Sequence, residues 1–145
     1  MNERKPQNLK NHTAFDPWFH IFLLLVLLLS VIEAISRTIR HYDTHAAWSV
    51  VLSLAAIVLV FKVRLYALKV QDRVIRLEER LRLRDLAGDQ SKQLIAGLNE
   101  DQLIGLRFAS DEELVALARQ ALAEKLDRKQ IKERIKNWRP DYWRI

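Results

Sequence analysis

Two long apolar runs separated by a short polar stretch limit this chain to few folds. The first, WFHIFLLLVLLLSVIEAI, runs from Trp18 to Ile35. At a helical rise of about 1.5 Å per residue it is just long enough to cross a hydrocarbon layer of about 30 Å. The second, AAWSVVLSLAAIVLVF, covers Ala46 to Phe61 and extends to Tyr66 if Lys62 and Arg64 reach back to the headgroups. A basic leader, an apolar core and small residues near Ala34 and Ser36 also fit a cleaved signal peptide. A second apolar run following at once makes two spans the more economical reading. The fold class expected is therefore an all-α membrane protein. It has a two-helix transmembrane hairpin, a second helix extended into the cytoplasm and a small C-terminal helical module. The boundaries fall at 1–17 for a polar leader, 18–36 for the first span and 37–45 for an external loop. The second span takes 46–66, its extension 67–86 and the module 87–145.

Flanking charge sets the orientation. The leader carries Arg4, Lys5 and Lys10, and residues 62–84 carry eight basic side chains, against Arg37 and Arg40 in the loop. Cytoplasmic loops are enriched in Lys and Arg, so both termini are expected in the cytoplasm. Trp18, Trp48 and Tyr66 stand where interfacial aromatics belong, and Asp16-Pro17 would open the first helix with a carboxylate and a proline.

The apolar run stops near Phe61, yet helical periodicity continues. Val63, Ala67, Val70, Val74, Leu77 and Leu81 follow at alternating spacings of four and three, which is a heptad seam. Arg73, Arg76, Glu78, Glu79, Arg80 and Arg82 occupy the other faces, so the helix is expected to leave the bilayer and keep going. The seam has three candidate occupants: the chain's own C-terminal module, a second copy, or a different protein. Beyond it the charge alternates. Residues 62–84 and 128–145 are net basic and residues 85–127 net acidic, which most simply lets the acidic middle fold on its basic neighbours.

The tail carries helix-start signals. Asn99 with Gln102, Ser110 with Glu113 and Asp127 with Gln130 each place a capping side chain three residues before Glu or Gln, the capping-box arrangement. Gly88 is the expected stop of the long helix. Leu114, Leu117, Ala118, Ala121 and Leu122 form an apolar stripe for a helix to about Leu126. Ile131, Ile135 and Trp138 form one for a helix ending before Arg139-Pro140, because a residue preceding proline avoids helix. Leu94, Leu98, Leu103, Leu106 and Phe108 complete a core too modest to stand alone, so packing on the stem is expected.

With QLIGLRFASDEELVALA at 102–118, HTAFDPWFH near the start and IKNWRPDYWRI at the end, the chain resembles a family of small bacterial two-span membrane proteins, a domain of unknown function. The resemblance covers essentially the whole chain. It implies a bacterial inner membrane protein of this layout and brings no catalytic residue, cofactor or substrate.

Chemistry has little raw material. Without cysteine there is no disulfide, thiolate metal site or thiol nucleophile, and three glycines leave little for active-site turns. His41, Asp43 and His45 form H-x-D-x-H, a donor set that suits Zn²⁺, but at that spacing they read as solvated loop residues and no metal site is assigned. Glu33 is an ionisable group inside a span, a functional candidate by default, although Arg37 four residues on offers an ion pair. The basic helix with Lys129, Lys132, Arg134, Lys136 and Trp138 has three readings. It lies on anionic lipid with Ile131, Ile135, Trp138 and Trp143 in the headgroup region, it covers the acidic helix, or it contacts nucleic acid as half of a loose helix-turn-helix, the last set aside so close to a bilayer. No catalytic residue, cofactor or small-molecule substrate is assigned. The expected function is a non-enzymatic structural or interaction protein, either accessory subunit or homo-oligomeric scaffold, with membrane lipids and a homo-oligomer or larger membrane complex as partners. A lipid sensor working through the basic helix, or a small oligomeric channel, is the alternative.

Overall fold

The computed structural model describes residues 6–9, 11 and 15–141. Among them the regular structure is helical, and the only β-type pairing is an isolated antiparallel bridge between Ala109 and Trp138. Two helical stretches are long and apolar enough to cross a membrane, Trp18–Arg40 and Thr44–Gly97. Only 6% of the apolar window in each is buried, the reverse of a core helix in a water-soluble domain.

The chain divides into two units, and α2 contributes to both. In the first, residues 14–68, a π-helical segment (Trp18–Leu23) leads into α1 (Leu24–Arg40), followed by the N-terminal part of α2 (Thr44–Ala87). Asp16 Oδ1 accepts the Trp18 N–H at 3.0 Å, as its place before Pro17 suggests. The loop expected over 37–45 shrinks to His41–Asp43. Helix α1 runs on because its last turns bond internally: Thr38 Oγ1 donates to the Ala34 carbonyl at 2.8 Å, and Arg40 donates to Ser36 Oγ. Helix α2 starts early because Asp43 Oδ1 accepts the Ala46 N–H at 2.6 Å, an N-cap. Ala34 and Ala46 are buried, and Arg64 lies over the Phe19 ring at 5.3 Å.

In the second unit, α2 residues 69–87 end at Gly88, whose φ of +54° is the left-handed turn that favours glycine. A 3₁₀ turn (Gly88–Gln90) passes to α3 (Ser91–Gly97), α4 (Glu100–Leu106), α5 (Asp111–Ala123) and α6 (Arg128–Arg134). The core gathers Leu94, Leu98, Leu103, Leu106, Phe108, Leu114, Leu117, Ala118, Ala121, Ile131 and Ile135, with Leu122 and Trp138 half-buried against it. Leu83 of α2 is fully buried in the same cluster, so the stem supplies part of this core. Gly105 lets α4 approach α6, since a Cβ there would stand 3.3 Å from the Arg128 carbonyl oxygen.

Reciprocal capping boxes form at Asn99/Gln102 and Asp127/Gln130. The third expected box, Ser110/Glu113, does not form. The Glu113 carboxylate instead accepts the backbone N–H groups of Lys136 and Asn137, both at 3.1 Å, exchanging one cap contact for two tail contacts. That contact also shortens the last helix. Helix α6 stops at Arg134 rather than near Trp138, and the following chain is pinned by Ser110 N–H to Asn137 C=O (3.0 Å) and Arg139 N–H to Phe108 C=O (2.7 Å).

Helix α5 also ends early, at Ala123. Leu126 N–H donates to Ala121 C=O and Lys125 N–H to Leu122 C=O, a Schellman closure with Lys125 at φ +51°. A non-glycine residue in that region is strained by about 1 kcal/mol. Lys125→Gly is therefore expected to raise stability by up to about 1 kcal/mol, read as a higher thermal midpoint of the detergent-solubilised chain. An unchanged or lower midpoint would mean that the strain is absorbed elsewhere.

Candidate interaction surfaces

Within the second unit, α2 joins the module through a charged cluster built into an apolar contact. Ile75, Glu79 and Leu83, spaced by four, are the buried line of the stem. Arg82 sits beside them, with only 11% of its side chain exposed. It donates to Asp111 Oδ1 at 2.5 Å, to the Ala109 carbonyl at 2.6 Å and to Glu79 Oε2 at 3.1 Å. Arg139 approaches Glu79 at 3.8 Å. Burial pushes the Glu79 carboxyl above its ordinary value, outweighing Arg82 and Arg139, which pull it down. Arg76 pairs with Glu100, and Arg107 Nε lies 3.6 Å from Asp141 Oδ2. Glu78, Glu79, Arg82, Arg107, Arg139 and Asp141 line a polar hollow here. Sequence pattern alone missed this cluster, because Glu79 breaks the apolar periodicity by which a buried face is recognised.

Along residues 69–87 the heptad seam is not the face that meets the module. Val70 is 63% exposed and Leu77 58%, with Val74 and Leu81 close behind. At about 100° per residue the seam lies roughly opposite the Ile75, Glu79, Leu83 line. In the first unit Val63 is exposed and Ala67 half-buried. The reading in which the seam packs on the chain's own module is therefore replaced: the module takes the opposite face and leaves the stripe open.

The apolar side of the basic segment is used internally. Ile131 and Ile135 are buried, and the Trp138 ring lies 5.1 Å from that of Phe108, so these residues do not lie in headgroups as the lipid reading requires. Arg134 is bound to Glu124 at 2.5 Å, and Lys132 sits 5.3 Å from the Phe108 ring centre. Lys129 is exposed, 3.8 Å from Glu133, and Lys136 is exposed with its N–H held by Glu113. Trp143 lies outside the described residues.

Leader and tail meet in this unit. Gln7 Nε2 donates to the Asp141 carbonyl at 3.1 Å, and the Asp141 N–H donates to Gln7 Oε1 at 2.8 Å. One side-chain amide thus satisfies both backbone groups of a residue 134 positions away.

In the first unit Glu33 accepts Arg37 Nε and a terminal guanidinium nitrogen at 3.1 and 2.8 Å, an exposed i,i+4 pair. It shares a shallow hollow with Ser30, Ser49 and Ser53, whose hydroxyls are each committed to a backbone carbonyl of their own helix. Asp43 of the H-x-D-x-H stretch is occupied as the α2 cap, and no group of three or more His, Cys, Asp or Glu among the described residues is arranged to hold a metal ion.

A family model described as a family of unknown function, DUF6526, matches residues 1–145. The chain belongs to that family. The DUF6526 match spans the leader, both apolar stretches and the module, the same extent over which the sequence resemblance runs. No curated protein and no solved structure matches the chain.

Proposed function

We propose that this member of DUF6526 is a two-span protein of the bacterial inner membrane and that it works without catalysis. In this reading its helical hairpin anchors a cytoplasmic module that assembles with other chains. The observation that carries the assembly reading is the open apolar stripe on residues 69–87 of α2, on a helix face that the chain's own module does not use. A water-exposed row of Val and Leu is a standing cost unless something covers it.

The hairpin has its own support. Gln7 and Asp141 belong to one packed unit, which supports leader and tail on one side of the membrane, as an even number of crossings requires. Arg64, at the far end of the second apolar stretch, covers Phe19 at the near end of the first, as antiparallel spans would bring them. The eight basic residues of 62–84 support a cytoplasmic location for that side. Glu33, with its carboxylate held by Arg37, and the inward-bonded serines give a channel reading little to work with.

The test is the mass of the intact particle after gentle extraction of the tagged protein from its native membrane. The expected particle holds more than one polypeptide, whether copies of this 17.1 kDa chain or another protein in fixed ratio. A particle containing a single copy and nothing else would overturn the assembly reading.

A further inference from the structure

We propose that the exposed stripe on residues 69–87 pairs with the same stripe of a second copy of this chain, as a parallel two-stranded coiled coil. This rests on the assembly reading above and goes further by naming the partner and its direction.

The charges flanking the stripe select the partner. With Val70 and Leu77 at d and Val74 and Leu81 at a, the g positions are Arg73 and Arg80 and the following e positions are Glu78 and Asp85. In a parallel pair each g residue faces the e residue five places on in the other helix. Arg73 then meets Glu78 of the second copy, and Arg80 meets Asp85 of the second copy. Symmetry repeats both contacts on the other flank. In an antiparallel pair g faces g and e faces e, which sets arginine against arginine and carboxylate against carboxylate. One direction is complementary and the other repulsive.

Those four side chains are also available. All are exposed, and none makes an ion pair among the described residues. The charged residues on the opposite side of the same helix, Arg76, Glu79 and Arg82, are all paired inside the unit. Glu78 and Asp85 also border the polar hollow on the module side but make no ion pair there, so both carboxylates remain open to a partner. The next d position is Arg84, and Gly88 stops the helix one turn later, so the apolar stripe from Val70 to Leu81 covers slightly under two heptads. Free in water so short a seam is weak. Two copies anchored in one membrane emerge in the same direction at a high effective concentration, which favours the parallel form.

The chain has no cysteine, so single replacements report the contact cleanly. Val70→Cys, Leu77→Cys and, off the stripe at an exposed position of α3, Lys92→Cys would be made in the full chain and oxidised in native membranes. The expected result is a disulfide-linked species at twice the 17.1 kDa chain mass for both Val70→Cys and Leu77→Cys, and none for Lys92→Cys. Adding Arg73→Glu to Leu77→Cys should lower that yield severalfold, and adding Glu78→Arg as well should restore it. Linkage at only one stripe position, no linkage at either, or equal linkage at Lys92→Cys would overturn the parallel pair. So would a charge reversal that changes nothing. A particle of several polypeptides without stripe linkage would sink the coiled coil and leave the assembly reading standing, whereas a single-copy particle would end both.

Discussion

Replacing Arg82 by alanine is expected to destabilise the stem-and-module unit by about 3–5 kcal/mol, a large fraction of the total stability of a typical domain. Arg82 is the one side chain that touches Asp111, the Ala109 carbonyl and Glu79 together, and it does so almost fully buried. Its loss leaves the Glu79 carboxylate, 3% exposed, with only Arg139 at 3.8 Å. The cost comes mainly from that abandoned charge, so the double variant Arg82→Ala/Glu79→Gln should recover a large part of it. The pH dependence follows from the same physics. The folded carboxyl of Glu79 lies above its ordinary 4.5, so between the two values the folded state binds more protons than the unfolded one. Its contribution to stability is fully present below 4.5 and is lost as pH rises through the folded value. Arg82→Ala removes a group that lowers that value, which extends the losing range to higher pH. Unfolding midpoints of the solubilised chain at several pH values read both effects. A loss below about 1 kcal/mol, typical of an exposed ion pair, would show that the cluster is not a buried anchor.

The two apolar stretches and most of the core were legible in the sequence, because both depend on runs and periods of apolar residues. Leu103, Leu114 and Ile131 announce themselves by spacing. The seam was legible for the same reason, but its occupant was not: Val70 and Leu77 look identical whether they face a module, a copy or water. The module's true docking line, Ile75, Glu79 and Leu83, was hidden by the charge at its centre, whose compensating Arg82 and Arg139 come together only in the fold. Ser110 and Glu113 carry a capping-box spacing, yet a carboxylate goes where it collects most donors, and Lys136 and Asn137 supply two. Lys125 gave no sign of a helix stop, since the signal sought there is glycine. Asp43 stands between two histidines in a metal-like spacing, but its position before a helix makes it a cap. The Gln7 to Asp141 contact spans nearly the whole chain, and no local rule reaches that far.

Replacing Gln102 by leucine is expected to cost about 2–4 kcal/mol, the second large effect. The side chain is 4% exposed and every polar atom of it is used. Its Oε1 accepts the Asn99 N–H at 3.0 Å, and its Nε2 donates to the Ala121 and Leu126 carbonyls, both at 3.0 Å. One amide therefore closes the start of α4 and ties it to the end of α5, where the strained Lys125 turn exposes those carbonyls. Leucine keeps the volume and loses all of this, leaving the Asn99 N–H and the Leu126 carbonyl without that partner. Glutamate at the same place separates the two halves of the role. Gln102→Glu retains an acceptor for Asn99 but turns a carboxylate oxygen toward two carbonyl oxygens, so it should be the worse variant at neutral pH. Protonation restores a donor, and stability should rise as pH falls toward the carboxyl range. If Gln102→Glu instead matched Gln102→Leu at every pH, the contacts to Ala121 and Leu126 would be incidental, and the capping contact to Asn99 would not distinguish the two side chains.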